Sequence, residues 1–205
     1  MSRYTWLLDP GHGGIIDDVY QTAGKRSPQL PDGRVLYEGD FNRDIVNRII
    51  KFGKSLGVEC MDIVDSLEDI PLRERVKRAN EFYRHNKNCI YVSVHSNAFG
   101  NGKDFNKAKG ICTFHHYRSS KGKHLAESLQ ATLAKYTNFR DRGVRSNDTW
   151  ANFYVLRKTH MPAVLSENGF MTNLEDADAL LEPSVRHQIA WAHIVMFQEI
   201  EVHGF

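Results

Sequence analysis

This chain of 205 residues has almost no net charge, no long apolar run and no cysteine pair at redox or metal spacing, and each absence narrows its function. Its 27 basic residues face 25 acidic ones, a net of +2, too little for the strong positive field of a nucleic-acid binder. No apolar run approaches the roughly 18 residues needed to span a bilayer, so a membrane role would be peripheral. Met1-Ser2-Arg3-Tyr4 leads almost directly into a strand-like run, without the charged and then apolar regions of an export signal. Cys60, Cys89 and Cys112 are odd in number and lie in apolar, β-like stretches, which predicts buried, reduced thiols rather than a disulfide framework or a metal cluster. Internal repeats, low-complexity tracts and Pro/Ser-rich linkers are missing too. With 41% hydrophobic residues, the chain is expected to fold as one compact domain over residues 1–205.

What is present is an alternation of strand and helix signals. Residues 4–9 form a short apolar run closed by Pro10-Gly11, a strand delivered into a turn that holds His12. From Asp40, read as an N-cap, Phe41, Ile45, Val46, Ile49 and Ile50 recur at helical spacing until Gly57. Residues 58–64 read as a strand, and Pro71 opens a charged helix with Leu72, Val76 and Ala79 on its buried stripe. Residues 89–95 are almost continuously apolar, as in a central strand covered on both faces. Further strands are expected at 111–116, 153–156 and 163–166, with helices around Leu125–Tyr136 and from Pro183 to the end. The expected fold is an α/β single-domain sandwich: a central, mostly parallel twisted sheet of about six strands flanked by helices. Residues 13–37 form an irregular stretch too long for an ordinary connection, which marks it as functional or disordered.

Four polar clusters attached to apolar runs carry the chemistry: Gly11-His12-Gly13-Gly14, Tyr37-Glu38-Gly39-Asp40, Ser93-Val94-His95-Ser96-Asn97 and Ser166-Glu167-Asn168-Gly169. Two imidazoles and a carboxylate are the usual protein ligands of a hydrolytic zinc with one open position, and a second carboxylate serves as general base. His12, His95 and Glu167 each follow a strand-like run, so all three are expected at the carboxyl edge of the sheet, where α/β proteins place their sites. Glu38 precedes a helix, where its charge equally suits ordinary compensation of the helix dipole. Asp9 either fixes the tautomer of His12 or caps the turn. His115 or His116, ending a strand, is a further candidate to approach the site, and Trp150 an aromatic candidate to stack on a ligand. The other histidines read as surface or packed residues.

Leu8-Asp9-Pro10-Gly11-His12-Gly13-Gly14, Glu38-Gly39-Asp40 leading into Asn42, Ser93-Val94-His95-Ser96-Asn97-Ala98 and Glu167-Asn168-Gly169-Phe170-Met171-Thr172-Asn173 resemble, in order and spacing, the motifs of zinc-dependent N-acetylmuramoyl-L-alanine amidases of the Amidase_3 type. Arg142-Gly143-Val144 and Met161-Pro162-Ala163-Val164-Leu165 are similar to supporting segments of that family. The resemblance covers nearly the whole chain. It implies hydrolysis of the amide between N-acetylmuramic acid and the L-alanine of the peptidoglycan stem peptide. It further implies one Zn2+ held by His12, Glu38 and His95, Glu167 as catalytic base and acid, and Arg142 as a contact to a stem-peptide carboxylate, unless Arg142 is a solvated loop arginine. Peptidoglycan or a muropeptide would be the partner, bound by a monomer acting at the cell wall or periplasm. Residues 13–37 are longer than in common family members, and neither an inhibitory helix nor a wall-binding repeat is apparent. A bare catalytic domain is therefore expected, either endolysin-like or the trimmed form of a secreted enzyme. A zinc peptidase and a catalytically silent wall-binding module are the alternatives, the latter at odds with Glu167.

Overall fold

Among the described residues six strands form one sheet, in the spatial order Glu59–Asp62, Thr5–Pro10, Cys89–Asn97, Ala163–Phe170, Ile111–His115, Asp141–Ser146, and helices cover both its faces. In this computed structural model, residues 2–146 and 152–205 are described. The strands are β1 (Thr5–Pro10), β4 (Glu59–Asp62), β5 (Cys89–Asn97), β6 (Ile111–His115), β7 (Asp141–Ser146) and β8 (Ala163–Phe170). β4, β1, β5 and β8 are mutually parallel, whereas β6 runs antiparallel to β8 and carries β7 parallel to itself. A second, two-stranded sheet pairs β2 (Ile15–Ile16) with β3 (Val19–Tyr20).

The strict alternation of strand side chains divides the core in two. Trp6, Leu8, Ile90, Val92 and Val94 pack beneath α1 (Glu38–Leu56), α3 (Ser120–Tyr136) and α6 (Pro183–His203), where the Trp6 and Phe197 rings stack at 3.8 Å. Leu7, Cys89, Tyr91 and Leu165 face the other way, against α2 (Leu72–His85) and α4 (Tyr154–Lys158). A short α5 (Leu174–Leu181) precedes α6, which has Pro183 in its first turn. Cys89 and Cys112 are buried free thiols, as the sequence implied, whereas Cys60 is only half-buried.

Several local expectations change. Residues 153–156, expected as a strand, lie instead at the start of the α4 turn; a short apolar run does not distinguish the two by periodicity. Asp40 does not cap α1. The helix starts at Glu38, and its first N–H groups are taken by other parts of the chain: Glu38 N donates to Lys25 O at 3.0 Å and Gly39 N to the Tyr20 hydroxyl at 2.9 Å. Leu72, expected in the buried stripe of α2, is 52% exposed.

Candidate metal centre

The turn after β1 owes its shape to contacts that only glycine permits. Gly11 N continues the sheet ladder to Val94 O at 3.0 Å, and a Cβ on Gly11 would lie 2.1 Å from Cε1 of His95. A Cβ on Gly39 would likewise sit 1.8 Å from Gly13 O, so the start of α1 can press directly on the turn. His12 adopts a left-handed φ of 66°, unusual for a residue with a side chain and characteristic of constrained sites. That turn is held by Arg75 Nη2, which donates to His12 O at 2.9 Å, and by Asn42 Nδ2, which donates to Gly11 O at 3.0 Å.

His12, Glu38 and His95 converge. Glu38 Oε2 lies 3.3 Å from His12 Nε2 and its Oε1 lies 3.1 Å from His95 Nδ1, with the two rings edge to face. One donor atom from each residue falls within 4.8 Å of the others. Zinc–ligand bonds of 2.0–2.2 Å at tetrahedral angles require donors roughly 3.3 Å apart, so these spacings fit a single ion. Burial alone would push the Glu38 carboxyl up, but hydrogen bonds and charge from His12 and His95 outweigh it and hold it at about 2. The site therefore presents an anionic oxygen donor between two imidazoles.

Glu167 stands across a cavity of about 320 Å³ that these three side chains also line. It pairs in register with His95, within β8 rather than at its end, just before an irregularity between β5 and β8 where Gly169 has a φ of 85°. Its Oε2 is buried without a hydrogen-bond partner among the described residues. Burial, and then the negative charge of Glu38, push its carboxyl well above the ordinary value, while the charge of Lys25 acts in the opposite sense. A buried chain of hydrogen bonds braces this segment. Asn168 Nδ2 donates to His95 O and to Ser166 Oγ, each at 3.0 Å, and Ser166 Oγ lies 3.0 Å from His193 Nε2. The other ring nitrogen, Nδ1, faces Ile189 O at 2.8 Å; a carbonyl only accepts, so Nδ1 carries the proton and Nε2 accepts from Ser166.

The remaining candidates fall elsewhere. Asp9 bonds Arg75 Nη1 and the Tyr91 hydroxyl, each at 2.5 Å, and the Ser93 hydroxyl at 2.8 Å, rather than the His12 ring. It supports the turn through Arg75. Arg142 lies near the start of the outermost strand, with its guanidinium 4.9 Å from the Phe170 ring centroid and Nη1 3.4 Å from Lys109 O, and it does not line the cavity. His115 and His116 are corrected outright. Because β6 runs antiparallel to β8, its end points to the opposite edge of the sheet, and it is Cys112 at the near end that pairs with Glu167. Trp150 lies outside the described residues. Lys25 lines the cavity and was not singled out from sequence; the only signal was its place in the long 13–37 stretch.

An α/β sandwich with a His/Glu/His donor set at the carboxyl edge of its parallel strands defines a class of proteins with a candidate metal-binding site at that edge. Within that class, the chain belongs to the N-acetylmuramoyl-L-alanine amidase family, whose sequence pattern matches residues 7–198. It is 31% identical over 192 residues to the N-acetylmuramoyl-L-alanine amidase LytC of Bacillus subtilis, covering 92% of this chain and 34% of LytC. It is 32% identical over 208 residues to the endolysin of Bacillus phage SPP1, covering 98% of this chain and 66% of the endolysin. This chain thus spans about a third of LytC and less than two thirds of the endolysin. Among solved structures, the N-acetylmuramoyl-L-alanine amidase from Clostridium difficile 630 superposes with a TM-score of 0.79 at 29% identity, covering 98% of this chain and 97% of that one.

Proposed function

We propose that residues 1–205 act as one catalytic domain, a monomer that hydrolyses the amide joining N-acetylmuramic acid to the L-alanine of the peptidoglycan stem peptide at the bacterial cell wall. The observation that carries this is the unpartnered, buried Glu167 Oε2 on the cavity shared with His12, Glu38 and His95. Family membership supports the choice of bond. His12 Nε2, Glu38 and His95 Nδ1 would hold one Zn2+. When bound, zinc supplies a Lewis acid that polarises the amide carbonyl and makes water more acidic.

The protein's own groups do the rest. Glu167 takes a proton from the attacking water and returns it to the departing alanine nitrogen; it lines the same cavity as His12, Glu38 and His95. The Asn168–Ser166–His193 chain holds β8 so that Glu167 keeps its aim. Arg75 and Asn42 hold the His12 turn. Leu72, Phe153 and Tyr154 give the cavity an apolar side beside the reacting amide. The test is mass spectrometry of products after zinc-loaded protein acts on an N-acetylmuramoyl peptide. An intact peptide with a free alanine amine is expected; cleavage within the peptide, or of the glycan, would overturn the assignment.

A further inference from the structure

Residues 13–37 build one wall of the site. β2 and β3 close the first part as a hairpin whose turn residues, Asp17 and Asp18, both have positive φ, 47° and 62°, as a tight hairpin turn requires. The chain returns through Lys25, whose carbonyl accepts from Glu38 N at 3.0 Å and from the Tyr20 hydroxyl at 2.9 Å. That hydroxyl in turn accepts from Gly39 N at 2.9 Å. The backbone of Lys25 is thus clamped to the first turn of α1, beside a metal-ligand candidate, by bonds that also cap the helix.

Its side chain is exposed and lines the cavity with His12, Glu38, His95 and Glu167. No other lysine or arginine lines that cavity among the described residues, and the Lys25 ammonium has no ion-pair or hydrogen-bond partner among them. Glu38 is already engaged by both imidazoles, so the ammonium is not committed to neutralising it. Lys25 and Glu167 line the same cavity, the place where the amide would break. A free ammonium on an anchored backbone, above a cavity with apolar sides, is suited to receive an anion carried by the substrate.

We propose that Lys25 is a specificity-determining residue that pairs with a carboxylate on the leaving peptide, within a residue or two of the scissile amide. This rests on the reaction proposed above. A substrate with that carboxylate free is preferred over the same compound with it amidated, and the preference resides in the 13–37 wall rather than in Arg142.

The experiment compares two muramoyl peptides that differ only in whether the residue after alanine has a free or an amidated carboxyl group. Calorimetry on zinc-loaded Glu167→Gln protein reads binding, and steady-state kinetics on the parent reads turnover. The free carboxylate is expected to bind about three- to fivefold more tightly, the size of one charge-assisted contact at an exposed site. Adding Lys25→Gln removes that preference, Lys25→Arg restores most of it, and in the parent background Lys25→Gln raises KM for the free carboxylate while kcat holds. Equal binding of the two compounds, or a preference that survives Lys25→Gln, overturns the proposal. If the parent cleaves neither compound at the alanine amide yet the Lys25-dependent preference persists in binding, the reaction assignment fails and the carboxylate site stands.

Discussion

Glu38 and His95, 57 residues apart in sequence, meet at 3.1 Å between Oε1 and Nδ1, while the other oxygen of the same carboxylate reaches His12 Nε2 at 3.3 Å. One buried side chain therefore spans both imidazoles. Replacing Glu38 with Ala is expected to weaken zinc binding at least about 100-fold, more than loss of an outer hydrogen-bond partner costs. Competition against a chelator of known affinity measures this, and unchanged affinity would remove Glu38 from the ligand set.

The glycine before His12 makes a separate prediction. A methyl on Gly11 would enter the space of the His95 ring, 2.1 Å from Cε1, and β5 is too well packed to retreat. Gly11→Ala is expected to keep the fold, lose about 1–3 kcal/mol of stability by overpacking, and lose most zinc affinity because the ring is displaced. Thermal unfolding followed with and without zinc separates the two effects. A variant stabilised by zinc as strongly as the parent would show that the ring has room.

Asp9 and Arg75 form a buried ion pair, 2.5 Å apart, beneath the His12 turn. Burial opposes the charge on Asp9, but Arg75 and the Tyr91 hydroxyl outweigh it and keep the carboxyl below its usual range. Breaking such a pair from one side leaves an uncompensated charge, so Arg75→Met should cost about 3–5 kcal/mol. Asp9→Asn combined with Arg75→Met should cost less than the sum of the single changes by at least about 1 kcal/mol, as urea denaturation would show. Strict additivity would mean that the two charges do not interact.

The strand ends and their ligands were largely legible in the sequence, because an apolar run followed by His between glycines, or by His-Ser-Asn, marks a chain leaving a sheet. His12 and His95 are placed in this way, whereas Glu167 lies within β8 rather than at its end. Glu38 was not separable from a residue that merely compensates a helix dipole, because its role depends on two rings that reach it only in three dimensions. Strand direction was the larger gap. Nothing local in Ile111–His115 says that it runs against β8, and that reversal carries His115 away from the site and pairs Cys112 with Glu167. The hairpin within 13–37 escaped notice because its strands are two residues each and its Asp-Asp turn lacks the usual glycine. Lys25 went unnoticed with it.

His193 provides a pH dependence away from the metal centre. It is fully buried, and that burial lowers its pKa from 6.5 to about 4, with Ile189 O only partly countering. Between those values the unfolded chain binds a proton that the folded chain refuses, so this contribution is complete above pH 6.5 and is lost as pH falls towards 4. The full effect is about 3 kcal/mol. Denaturation series between pH 4 and 7 should therefore show a flatter acid limb for His193→Gln, by close to one proton. Identical slopes in parent and variant would show that the ring is charged inside the fold.

The most direct measurement is kcat/KM of zinc-loaded Glu167→Gln for cleavage of the muramoyl–alanine amide, with bound zinc quantified in the same sample. The predicted result is a loss of about 10²–10⁴-fold, the usual worth of a positioned acid and base, with zinc still stoichiometric. A variant that holds zinc and cleaves at the parental rate would contradict the account, because the buried Glu167 carboxyl on the cavity shared with His12, Glu38 and His95 would then have no part in the reaction.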